Sequence, residues 1–340
     1  MNVNVDELVD RMLAGDRRAL ARLMTLAEHD IATAKEISQR TFTNTGKAYV
    51  IGVTGAPGSG KSSLVNQMVK IIVDRGSTVG VVAVDPSSPF SGGALLGDRI
   101  RMKENFTSEA VFIRSMANRG QLGGVARATK DVISLLDAAG FEYIIIETVG
   151  VGQAEIDIHD VASTTLLLVA PGMGDDIQAA KAGIMEICDV YVVNKMDHDG
   201  ADQLVEQIES SLDLATTIEL DHDASHVFTT KQVVRKTGWH PRICKTNALT
   251  GEGVEELIDV IQQHKDYLEY EGKLREKLAA RYRRDILEIL QEQFKVHVET
   301  ALDPAKNDAI PGLFEALDAR EKTPYDIAEE LAKFIARMLS

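Results

Sequence analysis

The run Gly55-Ala56-Pro57-Gly58-Ser59-Gly60-Lys61-Ser62-Ser63 fits the pattern G-x-x-x-x-G-K-[ST]. That spacing suits one task, the cradling of a polyphosphate. Glycines let the main chain wrap an anion closely, and its N–H groups converge on that anion at the positive end of a helix. Lys61 is expected to span the β- and γ-phosphates and the Ser62 hydroxyl to reach Mg²⁺. An apolar run, Tyr49 to Thr54, precedes the loop, and Leu64, Val65, Met68, Ile71 and Ile72 follow at helical spacing. A strand therefore feeds a loop that feeds a helix. The bland alternative, a glycine-rich turn with a solvated lysine, does not require those flanks. The chain is expected to bind a nucleoside triphosphate.

Which base it reads is suggested further on. Asn194-Lys195-Met196-Asp197 follows another apolar run, and behind a P-loop N-K-x-D resembles the guanine-reading motif of GTPases. An aspartate there accepts hydrogen bonds from the base N1–H and 2-amino group. Adenine lacks that pair of donors and would leave the carboxylate unpaired, so Asp197 is the residue expected to select guanine. Without the P-loop, the same four residues would usually be a helix cap. After the next apolar run stand Asn247-Ala248-Leu249. GTPases usually carry Ser-Ala or Cys-Ala here, with the alanine N–H donated to guanine O6. Asn247 occupies the serine position, and the backbone donor of Ala248 survives the change.

Glu147-Thr148-Val149-Gly150 resembles the D-x-x-G switch of GTPases with glutamate in place of aspartate. The carboxylate would reach Mg²⁺, usually through water, and the Gly150 N–H would sense the γ-phosphate. Ras-like proteins place a water-positioning glutamine next. This chain has Val151, so hydrolysis is expected to be slow until a partner accelerates it. Asp85, at a strand end, and Asp98, in a glycine-rich stretch, suit a Mg²⁺ shell that remodels with the γ-phosphate. An Asx turn and a surface salt bridge are their ordinary alternatives. Asp175, Asp176, Gln178 and Lys181 lie in a glycine-hinged segment expected to report nucleotide state to a partner. His222 and His226, at i, i+4, have no carboxylate or cysteine pattern beside them and read as a solvated loop.

The elements that must position these groups alternate. Strands are expected at 48–54, 78–84, 110–114, 143–147, 164–170, 189–193 and 241–246, with helices between them. That is the signature of an α/β fold, a P-loop NTPase with a mostly parallel central sheet flanked by helices, in which ligands gather beyond the strand carboxyl ends. Ahead of it, Val5, Leu8, Val9, Met12 and Leu13 mark one helix face, and Asp16 caps a second helix carrying Leu20, Leu23, Met24 and Ala27. A third runs from Ile31 towards Phe42. Near the end, Leu274, Leu278, Tyr282, Ile286, Leu290 and Phe294 recur every fourth residue, a stripe that precesses about 40° per step and that no flat core can bury whole. A helix over 267–296 is expected there, and a last one after Thr323-Pro324, a cap followed by proline at the first helical position. The divisions expected are a helical region at 1–45, a nucleotide domain at 46–265 and a helical extension at 266–340, which reads equally as a dimerisation arm or as helices packing back on the core.

Composition limits the setting. With 340 residues and a formal net charge of −15, the chain can bury one large α/β domain plus an appendage, and has no basic stripe for nucleic acid or an anionic membrane. Cys188 and Cys244 flank no C-x-x-C pair and read as reduced core thiols. No signal peptide or span of about 20 apolar residues is readable, so a cytoplasmic location is expected.

The segments VDPSSPFSGGALLGDRIRM, RGQLGGVARATKD, ETVGVGQAEID, PGMGDDIQAAKAGIMEI and NKMD, in that order, closely resemble the MeaB/ArgK family, the methylmalonyl-CoA mutase-associated GTPases. The resemblance covers nearly the whole chain and is weakest at 214–240 and in the last stretch. It implies a SIMIBI-class P-loop GTPase that binds GTP and GDP with Mg²⁺ and acts as a G-protein chaperone. Such a chaperone gates delivery of adenosylcobalamin to an acyl-CoA mutase and protects or rescues that mutase, most often as a homodimer joined by C-terminal helices. By the same resemblance Asp85, Asp98 and Glu147 become the Mg²⁺ and catalytic carboxylates, together with Lys61 and Gly150. The loop of Asp175, Asp176, Gln178 and Lys181 becomes the partner-sensing switch. Cobalamin itself is not expected to bind: Asp157-Ile158-His159-Asp160-Val161-Ala162 lacks the glycine of D-x-H-x-x-G. The rival readings are a nickel-insertion-type metallochaperone GTPase, a kinase acting on a transport protein and a non-hydrolysing scaffold.

Overall fold

The structure, a computed structural model, describes residues 4–86, 108–118, 127–148, 154–172, 188–220, 238–302, 315–317 and 319–339. The expected apolar runs form seven strands: β1 (Tyr49–Gly55), β2 (Val79–Pro86), β3 (Val111–Asn118), β4 (Tyr143–Thr148), β5 (Thr164–Val169), β6 (Val190–Asn194) and β7 (Arg242–Thr246). They build one sheet in the order β3-β2-β4-β1-β5-β6-β7, parallel at every pairing. Strands β1, β5 and β6 are buried along their whole length. Continuous runs of Val, Ile and Leu, rather than alternation, are what a parallel strand covered on both faces requires. From β1 the chain visits β2, β3 and β4 on one side before crossing to β5, β6 and β7 on the other. The carboxyl end of β1 is therefore where the crossovers diverge and a crevice opens.

Helices α1 (Val5–Leu13), α2 (Arg17–His29), α3 (Ile31–Thr41), α4 (Lys61–Asp74), α5 (Arg127–Ala138), α6 (Ala154–Val161), α7 (Ala201–Leu220) and α8 (Val254–Tyr270) cover the sheet and its flank. One core joins Leu20, Leu23 and Met24 of α2 to Val132, Ile133 and Leu136 of α5 and to Val50, Val82, Ile144 and Ile146 of the sheet. The N-terminal helices thus pack onto the nucleotide domain. Each of those α2 side chains contributes about 1.5–3 kcal/mol by leaving water. Asp16 starts α2 by accepting from the Arg18 and Ala19 N–H groups at 2.8 and 3.1 Å, and those bonds hold its carboxyl below the usual range, the Arg11 guanidinium contributing most. Arg17 then donates to the Val111 carbonyl and Arg114 pairs with Glu28, which fastens α2 to β3. On the opposite sheet face Ile51, Val53, Val81 and Ile145 meet Leu64, Met68 and Ile72 of α4 and Leu257 and Ile261 of α8. Cys188 and Cys244 are buried and form no disulfide.

The long helix expected over 267–296 is two helices. Helix α8 ends at Tyr270 and α9 (Lys273–Leu302) begins after Gly272, whose φ of +69° is left-handed and whose N–H bonds the Glu269 carbonyl. A glycine in that conformation closes a helix at little cost, and the apolar stripe begins only after the break, at Leu274. The described chain forms two units, Met1–Arg275 and Glu276–Ser340. In the second, α10 (Pro324–Leu339) buries Ile327 and Leu331 against Val298, Leu302 and Leu317. Thr323 and Asp326 cap that helix reciprocally, the Thr323 N–H donating to the Asp326 carboxylate at 2.8 Å and the Asp326 N–H to Thr323 Oγ1 at 3.3 Å. Ile286, Leu287, Leu290 and Phe294 of α9 remain exposed. Among the described residues no helix is long and apolar enough to cross a membrane.

Candidate functional site

The loop between β1 and α4 carries the geometry that the glycines foretell. Gly55 has φ +147° and Gly60 φ +99°. A Cβ at Gly55 would stand 2.1 Å from the Leu168 carbonyl oxygen and one at Gly60 2.3 Å from Asn194 Nδ2, so neither position admits a side chain without displacing a neighbour. Lys61 opens α4, buried, and its ammonium donates to the Gly55 and Ala56 carbonyls at 2.7 and 3.0 Å. The cation is thereby folded back along the loop it would serve. Ser59 Oγ is buried with no hydrogen-bond partner among the described residues.

Ser62, one residue into α4, donates its hydroxyl proton to Glu147 Oε1 at 2.5 Å. Glu147 stands near the end of β4 and is itself buried. The pairing is enforced by the sheet: β4 lies beside β1, with Glu147 opposite Val53, so the switch carboxylate and the loop hydroxyl share one crevice. A hydroxyl and a carboxylate are the oxygen donors a hard cation such as Mg²⁺ takes. Asp85 lies at the carboxyl end of β2 on the same sheet edge, opposite Ala117 of β3. Asp98, Gly150, Asp175, Asp176, Gln178 and Lys181, like His222 and His226, lie outside the described residues.

The base-reading residues converge from two further strand ends. Asn194, 2% exposed, closes β6. Its amide donates to the Ser59 carbonyl at 2.7 Å, while its Oδ1 accepts from the Ala248 N–H at 2.9 Å and from Thr246 Oγ1 at 3.3 Å. One side chain thus ties the phosphate loop to the segment after β7. Lys195 follows with φ +57°, a left-handed turn that carries the chain to Asp197, whose side chain is 58% exposed at the rim. Asn247 donates through Nδ2 to Asp197 Oδ1 at 2.9 Å. Its Oδ1 accepts from the Leu249 and Thr250 N–H groups at 3.0 and 3.3 Å. Leu249 stands largely in solvent beside them. Gly55 to Ser63, Glu147, the Asn194–Asp197 turn and Asn247 to Leu249 thus form one continuous rim along the carboxyl edges of β1, β4, β6 and β7.

Sequence reading missed two supports of that rim. Thr246 fixes the Asn194 amide, and the Glu252 carbonyl accepts from the Asn247 N–H at 2.9 Å. Only the glycines around Glu252 hinted at the second. A Cβ at Gly253 would stand 2.0 Å from the Lys245 carbonyl oxygen, so the turn can close only there.

A parallel sheet with a glycine-lined phosphate loop at its central strand, and a buried asparagine locking that loop to the segment after the last strand, is the architecture of a P-loop GTPase. Comparison with known proteins makes the assignment narrower. Residues 20–303 match the family model described as Methylmalonyl Co-A mutase-associated GTPase MeaB, and the chain belongs to that family. It is 45% identical to a protein named as a GTPase from Pyrococcus horikoshii, over 98% of this chain and 99% of that one. It is 32% identical to the mitochondrial methylmalonic aciduria type A homolog of Mus musculus, over 90% of this chain and 74% of that one. Among solved structures, a crystal structure described as a LAO/AO transport system kinase superposes with a TM-score of 0.64 at 26% identity, covering 99% of this chain and all of that one. The protein is a GTPase that binds guanine nucleotide.

Proposed function

We propose that this GTPase is a chaperone of an adenosylcobalamin-dependent acyl-CoA mutase, gating cofactor loading and protecting the mutase, with methylmalonyl-CoA mutase as the first candidate partner. The name of the matching family, and that of the mouse relative, support the class of partner. The observation that carries the mechanism is the Ser62–Glu147 hydrogen bond of 2.5 Å, which joins the phosphate loop to the strand leading into Gly150. In this reading Ser62 and Glu147, with Asp85 and Asp98, hold Mg²⁺, which when bound neutralises charge on the β- and γ-phosphates.

The chain's own residues do the rest. Lys61 leaves the Gly55 and Ala56 carbonyls for the phosphates, at the cost of two hydrogen bonds that the anion replaces. Ser62 and Glu147 hold each other by that hydrogen bond, and were a hard cation bound there the two oxygens would face it instead, which would leave the end of β4 free to take a new arrangement. Val151 offers no group to orient water, so turnover alone is slow. The segment with Asp175, Asp176, Gln178 and Lys181 then carries nucleotide state to the mutase. The exposed apolar side chains of α9 supply a surface for a homodimer, and the setting is cytoplasmic.

Phosphate release from GTP labelled at the γ-position, with and without each candidate acyl-CoA mutase, tests the proposal. Slow turnover that one mutase accelerates, together with a change in that mutase's cobalamin loading between GTP and GDP, is the expected result. Indifference of every such mutase to the bound nucleotide would overturn the partner. Transfer of the label to a protein side chain would favour the kinase reading suggested by the solved neighbour's description.

A further inference from the structure

We propose that Asn247 sets guanine selectivity as a positioning residue, by holding the Asp197 carboxylate in its base-reading orientation. The proposal rests on the reading of Asp197 as the guanine contact. The carboxylate sits at the rim with its side chain 58% exposed, and a solvated aspartate is free to turn among rotamers. Asn247 removes that freedom. It is itself 8% exposed, its N–H is held by the Glu252 carbonyl at 2.9 Å and its Oδ1 by the Leu249 and Thr250 N–H groups. With that end of the amide anchored, Nδ2 points in one direction, onto Asp197 Oδ1 at 2.9 Å.

Only a side chain with an acceptor and an N–H donor on one planar head spans both tasks at these distances. A serine hydroxyl has one proton to give and a shorter reach. Asparagine at this position is therefore a functional substitution for the usual serine or cysteine. It fastens the guanine-reading carboxylate to the loop whose Ala248 N–H is held by Asn194 Oδ1.

The test is equilibrium binding of GDP, IDP and ADP to the full chain, because IDP lacks the 2-amino group that the carboxylate reads and keeps the phosphates. Asn247→Asp is isosteric, keeps the acceptor and turns the donor into a second carboxylate facing Asp197. It is expected to lower GDP affinity about tenfold to a hundredfold and IDP affinity less, so the GDP-to-IDP ratio shrinks. Asn247→Ser, which keeps a short donor, should fall between it and the native protein and carries the same comparison if the aspartate variant does not fold. In an Asp197→Ala background, Asn247→Ala should cost no more than about a further twofold. Equal loss of GDP and IDP, or a full loss from Asn247→Ala without the Asp197 carboxylate, would overturn the proposal, since Asn247 would then only be holding its loop. Native protein that binds ADP as tightly as GDP would overturn the guanine reading beneath it.

Discussion

Replacing Asn194 by alanine separates the architecture of this site from its chemistry. The side chain is 2% exposed and satisfies the Ser59 carbonyl and the Ala248 N–H, at 2.7 and 2.9 Å. Each becomes a buried, unpaired backbone group in Asn194→Ala, at about 1–3 kcal/mol apiece. Some relaxation of the Ser59 loop towards water lowers the sum, so about 2–4 kcal/mol of stability should be lost without any nucleotide present. Asp197→Ala removes a carboxylate that is 58% exposed, with the one hydrogen bond it accepts from Asn247, and should cost only about 0.5–1.5 kcal/mol. Both variants should bind GDP weakly. Urea unfolding of nucleotide-free protein reads the difference, because bound nucleotide would mask it by mass action. The single tryptophan, Trp239, lies 4.7 Å from the His264 ring and 5.6 Å from Tyr267 and reports on the first unit. With a slope of about 3 kcal/mol/M, the midpoint of Asn194→Ala should fall by about 1 M and that of Asp197→Ala by no more than about half as much. An unchanged midpoint for Asn194→Ala would refute the assignment of this side chain as the lock between phosphate loop and base-reading segment.

Other outcomes follow from the same geometry. Asp197→Asn presents an amide donor where guanine offers its own donors, so preference should swing from GDP towards XDP, whose base carries a carbonyl in place of the 2-amino group; competition binding reads the ratio. Gly60→Ala would bring a Cβ 2.3 Å from Asn194 Nδ2 at a φ of +99°, and should abolish GTP binding by displacing the loop, measured by titration with a fluorescent GTP analogue. Burial, with the Glu256 charge as a lesser cause, raises the Cys244 thiol from 9.0 to about 11. The fold therefore favours the protonated thiol, and its contribution to stability is whole below about pH 9 and disappears as pH rises through about 11. Unfolding midpoints measured across that window should fall less steeply for Cys244→Ala, and a thiol reagent at pH 8 should label Cys244 only on unfolding.

The architecture was largely written in local pattern. Unbroken Val, Ile and Leu runs such as Tyr143–Glu147 require a strand covered on both faces, and Asp16 and Thr323 announce their helices because capping is settled within a few residues. The phosphate loop was legible for the same reason: Gly55, Gly60 and Lys61 act through backbone conformations that short-range sterics dictate. What no local pattern held was which strand ends become neighbours. The sheet order puts Glu147 beside the β1 crevice, so Ser62 comes to donate a hydrogen bond to Glu147, 85 residues away. The same holds for Asn194 against Ser59 and for Asn247 against Asp197, pairs 135 and 50 residues apart. The break at Gly272 escaped sequence reading for another reason: a lone glycine just ahead of the apolar stripe that starts at Leu274 does not by itself tell a tolerated helix residue from a helix end. Residue type and spacing determined which groups could do chemistry on a guanine nucleotide. Tertiary structure alone decided which of them hold one another in place, because a hydrogen bond between distant residues depends on how the strands are ordered and not on either residue's neighbours in the chain.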